Sequence, residues 1–173
     1  MWIKIIGIAC IISGFGAWGM NGSRTLEKRV AQIKEIRLAL GFLEKEISCM
    51  YIPLPRALER TARFCKEPIT VLFAESSRQL QGREGVTASE AWSYGLKALK
   101  RDSDLKEIDL ELLAAAAPQL GMSDALQQKK IFNMLLEELG ILEAKAVQEA
   151  QAGRKLWNYG GFMLGALIVL LLI

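Results

Sequence analysis

From Leu26 onward, apolar side chains recur at Leu26, Val30, Ile33, Ile36, Leu40, Leu43, Ile47 and Met50, in steps of three and four. That is helical periodicity, close to a coiled-coil seam. Charged residues fill the gaps (Glu27, Lys28, Arg29, Lys34, Glu35, Arg37, Glu44, Lys45), so the pattern predicts an amphipathic helix from about Ser23 to Tyr51. Ser23 can cap it, and Pro53 and Pro55 end it. Pro55 is also suited to open a second helix running to Cys65. Pro68 opens a third, Ile69 to Gln81, closed by Gly82 and Gly85. Thr87-Ala88-Ser89-Glu90 is a capping-box pattern that starts a fourth helix, with Trp92, Leu96 and Leu99 on one side. A fifth starts at Asp102 or Ser103 and carries Leu105, Ile108, Leu112 and Leu113, with a break or kink near Pro118. Gly121 suits its C-cap, and Ser123 and Asp124 start a long last helix striped by Leu126, Ile131, Met134, Leu135, Leu139, Leu142 and Val147. No segment alternates like a strand. The expected fold class is all-α: a soluble bundle of about six helices, two long ones flanking four shorter ones.

The two ends break the amphipathic pattern. Trp2 to Met20 holds a single charge, Lys4, and Leu156 to Ile173 holds none. At 1.5 Å per residue these stretches span roughly 28 Å and 27 Å, close to the ~30 Å of a bilayer's hydrocarbon. Trp157 and Tyr159 suit a membrane interface. The expected division is therefore 1–20 and 156–173 as transmembrane helices and 21–155 as the soluble bundle, with the last bundle helix able to continue into the second span. A cleaved signal peptide is the rival reading of the first stretch, since Ala17-Trp18-Gly19 loosely fits a small-x-small site. Basic residues set the orientation: Arg24, Lys28 and Arg29 follow the first stretch, while Lys145, Arg154 and Lys155 precede the second. Both place the middle segment in the cytoplasm and both chain ends outside. Gly161 and Gly165 form a G-x-x-x-G, and Gly14 pairs with Cys10 at small-x-x-x-small spacing, which suits helix packing within the membrane.

Composition removes most chemistry. The chain has no histidine, the commonest general base and metal ligand. Its three cysteines, Cys10, Cys49 and Cys65, show no C-x-x-C spacing and read as reduced thiols buried as small apolar residues. The middle segment holds all 19 acidic residues and all but one of the 22 basic ones, so it is near neutral and no nucleic-acid binder is expected. Glu107, Asp109 and Glu111 read as a solvated first turn of a helix, favoured there by the helix dipole. Arg60 with Arg63, and Lys129 with Lys130, read as solvated basic spots. There is no Walker loop and no activated nucleophile. No enzyme, cofactor or metal site is expected.

Several fragments together are similar to one family: the opening KIIGIACIISGFGAWG, the run LEKRVAQIKEIRLALGFLEKEISCMYIPLPRALERTA, Ala91-Trp92, PQLGMSDALQQKKIF, and the closing apolar helix with Gly160, Gly161 and Gly165. In that combination the chain resembles the stage III sporulation protein AB family of endospore-forming bacteria. The resemblance covers nearly the whole chain. It implies a soluble six-helix domain like that of the inner-membrane platform proteins of type II secretion and type IV pilus machines. It also implies a two-pass protein of the mother-cell membrane in a secretion-like channel complex needed for endospore formation. The implied partners are the operon's secretion-type ATPase and other membrane channel subunits. Platform proteins usually carry two such domains and more membrane passes, so their ring size and rotation do not transfer. The polar turn Gly121, Ser123, Asp124 with Gln127 and Gln128 is the expected partner contact, although Ser123 and Asp124 equally suit a plain helix cap. A homo-oligomer is compatible with the sequence. The other reading of the chain is a membrane-anchored scaffold or sensor of envelope biogenesis, unrelated to secretion ATPases.

Overall fold

A computed structural model gives the backbone of residues 2–82, 85–120 and 125–172, and the side chains of residues 22, 24–82, 85–118, 120, 129–154 and 163. Six α-helices follow in order: α1 (Trp2–Ser48), α2 (Leu54–Phe64), α3 (Ile69–Gly82), α4 (Ala88–Asp102), α5 (Glu107–Ala115) and α6 (Ala125–Leu172), with a 3-10 turn at Ala117–Gln119. Among the described residues there is no strand. The expected all-α class is what forms, with a long helix at each end of the chain order and four shorter ones between them.

The first helix differs from expectation at both ends. It does not begin at Ser23; it runs unbroken from Trp2. It ends at Ser48, short of Tyr51. There Cys49 N and Met50 N both donate to Lys45 O (3.0 and 3.2 Å), Ile52 N reaches back to Glu46 O, and Tyr51 takes the left-handed φ of 53° that turns the chain. Met50, placed on the apolar stripe by periodicity, lies beyond the last turn and is exposed. The last helix likewise runs without a break from Ala125 to Leu172. Among the described residues no helix is long and apolar enough to cross a membrane. The side chains of 2–20 and, apart from Met163, of 156–173 fall outside those residues, and so do the surroundings of Gly14, Gly161 and Gly165.

The chain parts into two compact units: Met1–Val30 with Lys145–Ile173, and Ala31–Ala144. In the first, buried Arg29 pairs with Glu149 (2.7 Å), Arg154 lies 4.0 Å from Glu27, and Ala146 and Ala150 are buried. Two of the basic residues that orient the chain in the sequence thus also tie α1 to α6.

In the second unit α1 is the central helix. Ile33, Ile36, Ala39, Leu40 and Leu43 are buried, and α1 is held on several sides. Arg37 pairs with Glu143 of α6 (2.8 Å), and the Phe42 ring stacks on Phe64 of α2 with centroids 5.0 Å apart. Gln32 Oε1 accepts from Asp104 N (2.9 Å) in the α4–α5 connection. This enclosure explains why Gln32, Glu44 and Glu46, polar gaps in the sequence pattern, are buried as well.

Helices α3 and α4 approach closely at Gly95. A Cβ at Gly95 would overlap the Leu72 carbonyl oxygen and Ser76 Oγ, so only glycine fits there. Phe73 meets Trp92 edge-on, at 5.7 Å between centroids, and Trp92 Nε1 donates to Leu113 O (2.8 Å), fastening α4 to α5. The capping box is present: Glu90 N donates to Thr87 Oγ1 (3.2 Å) and Thr87 N to Glu90 Oε2 (2.9 Å). The bond from Thr87 N, and then that from Thr87 Oγ1 to the same Oε2 (2.9 Å), hold the Glu90 carboxyl below the usual carboxylate range.

Helix α5 corrects two readings. It starts at Glu107, and its inward face is Asp109, Leu110 and Leu113, leaving Ile108 exposed. Asp109 is not solvated. It is buried and accepts from Lys106 N (2.9 Å), closing the first turn, which draws position 109 inward and turns 108 out. Glu107 does face solvent, paired with Lys100 (2.7 Å). The break near Pro118 is there, as the 3-10 turn. On α6 the buried face is Phe132, Leu135 and Leu139, and Met134 is exposed.

Candidate functional site

Two surface features of the Ala31–Ala144 unit stand out. The first is the corner between α1 and α2. Once α1 has ended at Ser48, Met50-Tyr51-Ile52-Pro53 crosses to α2, whose start is preset by Pro53 and Pro55. Ala57, Leu58, Thr61 and Ala62 face the core. The opposite side of α2 therefore carries Arg56, Arg60 and Arg63, at i, i+4 and i+7. With Tyr51, Ile52, Pro53 and Glu59 these arginines line a depression of about 510 Å³.

The charges there are unevenly matched. Arg63 pairs with Glu59 (2.6 Å) and Arg60 with Glu46 (3.1 Å), but Glu46 is buried and does not face the depression. The Glu46 Oε2 contact is an ion pair without directional hydrogen-bond geometry. Arg56 has no ion pair among the described residues. The rim is thus cationic; Tyr51 in its lining is 81% exposed, and the preceding residue, Met50, is 61% exposed. A non-glycine residue in the left-handed region costs about 1–2 kcal/mol. Such strain gathers where surroundings or function demand it. Here an aromatic ring is held out in water at that cost. Arginine forks match carboxylates, and exposed Tyr and Arg are the residue types that anchor protein interfaces. The corner is equipped to grip an acidic protein surface.

The second feature is a groove of about 840 Å³ flanked by α1 and α6, with Phe64 of α2 at one end. Its apolar lining is Leu38, Phe42, Phe64 and Leu136. Leu38 and Phe64 are about half exposed. Lys34 and Lys45 stand along the α1 side and Glu137 along the α6 side, none with an ion pair among the described residues. Gly41 lies in the lining, and a Cβ there would meet nothing within 4 Å. A glycine inside a helix costs about 0.5–1 kcal/mol relative to alanine, and nothing in this unit requires it.

Of the contact residues expected from the sequence, Gly121, Ser123 and Asp124 lie outside the described residues, as do the side chains of Gln127 and Gln128. Lys129 and Lys130 are exposed on α6. The Arg60–Arg63 spot belongs to the corner; sequence reasoning missed its other members, Arg56 and Tyr51. The 4-and-3 spacing of arginines in PRALERTAR was the available signal. Among the described residues no group of three or more His, Cys, Asp or Glu could hold a metal ion.

The free thiols Cys49 and Cys65 differ from expectation too. Cys49 is exposed, beyond the end of α1, and Cys65 is half-buried. Burial, with a smaller effect of the Glu35 charge, pushes the Cys65 thiol up to about 12. The thiolate is the reactive form. At pH 8 a thiol reagent is therefore expected to modify Cys49 well before Cys65, with Cys65 gaining reactivity only as pH approaches 12. Mass-spectrometric labelling rates check this, and equal rates at pH 8 would refute it.

The sequence profile of the stage III sporulation protein AB family matches residues 4–173. The stage III sporulation protein AB of Bacillus subtilis (strain 168) is 31% identical over 170 residues, 98% of this chain and 99% of that protein. A solved structure of a stage III sporulation protein AB superposes with a TM-score of 0.67 at 32% identity, covering 71% of this chain and 96% of that one.

Proposed function

Since the chain belongs to the stage III sporulation protein AB family, and so has its part in sporulation, we propose that it is the non-enzymatic membrane platform of a secretion-like channel complex, docking a cytoplasmic ATPase to membrane components. Residues 1–20 and 156–173 cross the mother-cell membrane, and the helical bundle faces the cytoplasm. What supports the two passes is the near absence of charge in both stretches, with basic residues on their bundle sides. The small-residue positions Gly14, Gly161 and Gly165 pack against each other or against channel subunits.

The observation that carries the docking part is the α1–α2 corner: Tyr51, exposed at a left-handed backbone position, lining one depression with the arginine row of α2. Its partner is the secretion-type ATPase of the same operon, which presents carboxylates to Arg56, Arg60 and Arg63. The test is affinity purification of the tagged full chain from membranes of sporulating cells. The ATPase is expected to co-purify, and Arg56→Glu is expected to deplete it while leaving the tagged protein at its normal level. An ATPase absent from the wild-type material, with sporulation still lost on deletion of the gene, would favour a scaffold or sensor unrelated to secretion ATPases.

A further inference from the structure

We propose that the groove between α1 and α6 is the seat of a second copy of this chain, related by a two-fold axis running along the groove. The inference does not depend on the ATPase reading. Three observations on one surface lead to it.

The groove has an apolar lining of Leu38, Phe42, Phe64 and Leu136, and Leu38 and Phe64 are half-exposed, which a monomer gains nothing by leaving in water. Its two sides carry opposite charge: Lys34 and Lys45 on α1, Glu137 on α6. The wall between them is opened by Gly41, which the chain's own packing does not ask for. An amphipathic helix pair can fill such a groove.

The charges select the occupant and the axis. In an isologous pairing the same patch faces itself, so it must be self-complementary. A two-fold axis along the groove sets α1 of one copy against α6 of the other, and the basic side then meets the acidic side. An axis across the groove would set α1 against α1 and lysine against lysine, which opposes association. The Arg37–Glu143 pair fixes the level of the two antiparallel helices at one end of the groove. Counting along both helices from that pair puts Lys45 within a turn of the second copy's Glu137. The opening at Gly41 then falls within a turn of Leu136 of the second copy. The arrangement doubles each charge pair and covers Leu38 and Phe64 in both copies.

The test is sedimentation of the full chain in detergent, as wild type and as Gly41→Trp, Lys45→Glu, Glu137→Lys and the Lys45→Glu/Glu137→Lys double variant. The wild type is expected to sediment as a concentration-dependent dimer. Each charge reversal is expected to weaken it at least ~10-fold, and the double variant to restore it. Gly41→Trp fills the opening and is expected to give a monomer whose thermal midpoint is not lowered. If that variant instead unfolds, the charge exchange decides alone. A wild type that stays monomeric at about 100 µM, or a double variant no better than its single parents, overturns the proposal; the second result would mean that the groove takes a different protein. A wild type that dimerises but brings down no ATPase would count against the docking corner alone.

Discussion

Replacing Gly95 by valine is expected to remove much of the stability of the bundle. The new Cβ would overlap a backbone carbonyl oxygen, that of Leu72, together with Ser76 Oγ, and Leu72 Cδ1 would lie at 3.2 Å. Neither oxygen can move aside freely, because Ser76 Oγ already donates to Leu72 O at 2.7 Å within α3. Relief must come from separating α3 and α4, which would also disturb the Phe73–Trp92 contact and the Trp92 bond to Leu113. Overpacking typically costs about 1–3 kcal/mol, and more when main chain has to shift. Against a total of about 5–15 kcal/mol for a domain this is a large share. Gly41→Ala is the matched control: it meets nothing and should gain about 0.5–1 kcal/mol from helix propensity. Thermal denaturation of both variants checks the contrast. Equal midpoints would mean that α3 and α4 do not approach as described.

Truncation of Arg60 to alanine should cost about 2–3 kcal/mol, below the ~3–5 kcal/mol of a fully buried pair because Arg60 is half exposed. Its partner Glu46 is buried, with Oε2 3.1 Å from the guanidinium. Removing the arginine leaves that carboxylate facing the core without its counter-charge. The paired change Glu46→Gln/Arg60→Ala should recover most of the loss, because a neutral amide needs no cation. Denaturant midpoints of the single and double variants decide it, and a double variant as unstable as Arg60→Ala would contradict the pairing. The same result explains why Arg60 makes a poor probe of docking: it supports the fold as well as the corner. Arg56, which has no such pair among the described residues, is the cleaner choice.

Some of this was legible in the chain and some was not, for separable reasons. The Thr87–Glu90 capping box, the Pro55 start and the Pro118 break were visible because each is a local device with a local residue signature. Where α1 stops was not. It ends by bonds back to Lys45 and Glu46 around Tyr51, and the glycine that customarily marks such a left-handed turn is missing. Periodicity alone therefore extends the stripe two residues too far and places Met50 and Tyr51 in the helix, when they belong to the exposed corner. The burial of Asp109 is not legible in the chain, because it comes from capping its own helix inside the bundle, which looks the same in sequence as a solvated acidic turn. Gly95 and Gly41 look alike in sequence. One is demanded by a neighbouring backbone and the other faces open space, and only the packing separates them. Arg60 and Arg63 were seen, while Arg56 and Tyr51 joined them only once the corner had folded.

On the docking proposal, Tyr51 stands at a strained position because a partner uses it. The most direct measurement is a binding titration of the full chain in detergent against the operon's ATPase, wild type beside Tyr51→Gly, with thermal midpoints taken on the same samples. Glycine removes the ring and relieves the left-handed backbone at once. The expected result is a midpoint unchanged or raised and an affinity lowered at least ~10-fold. A variant that binds the ATPase as tightly as the wild type would contradict the claim.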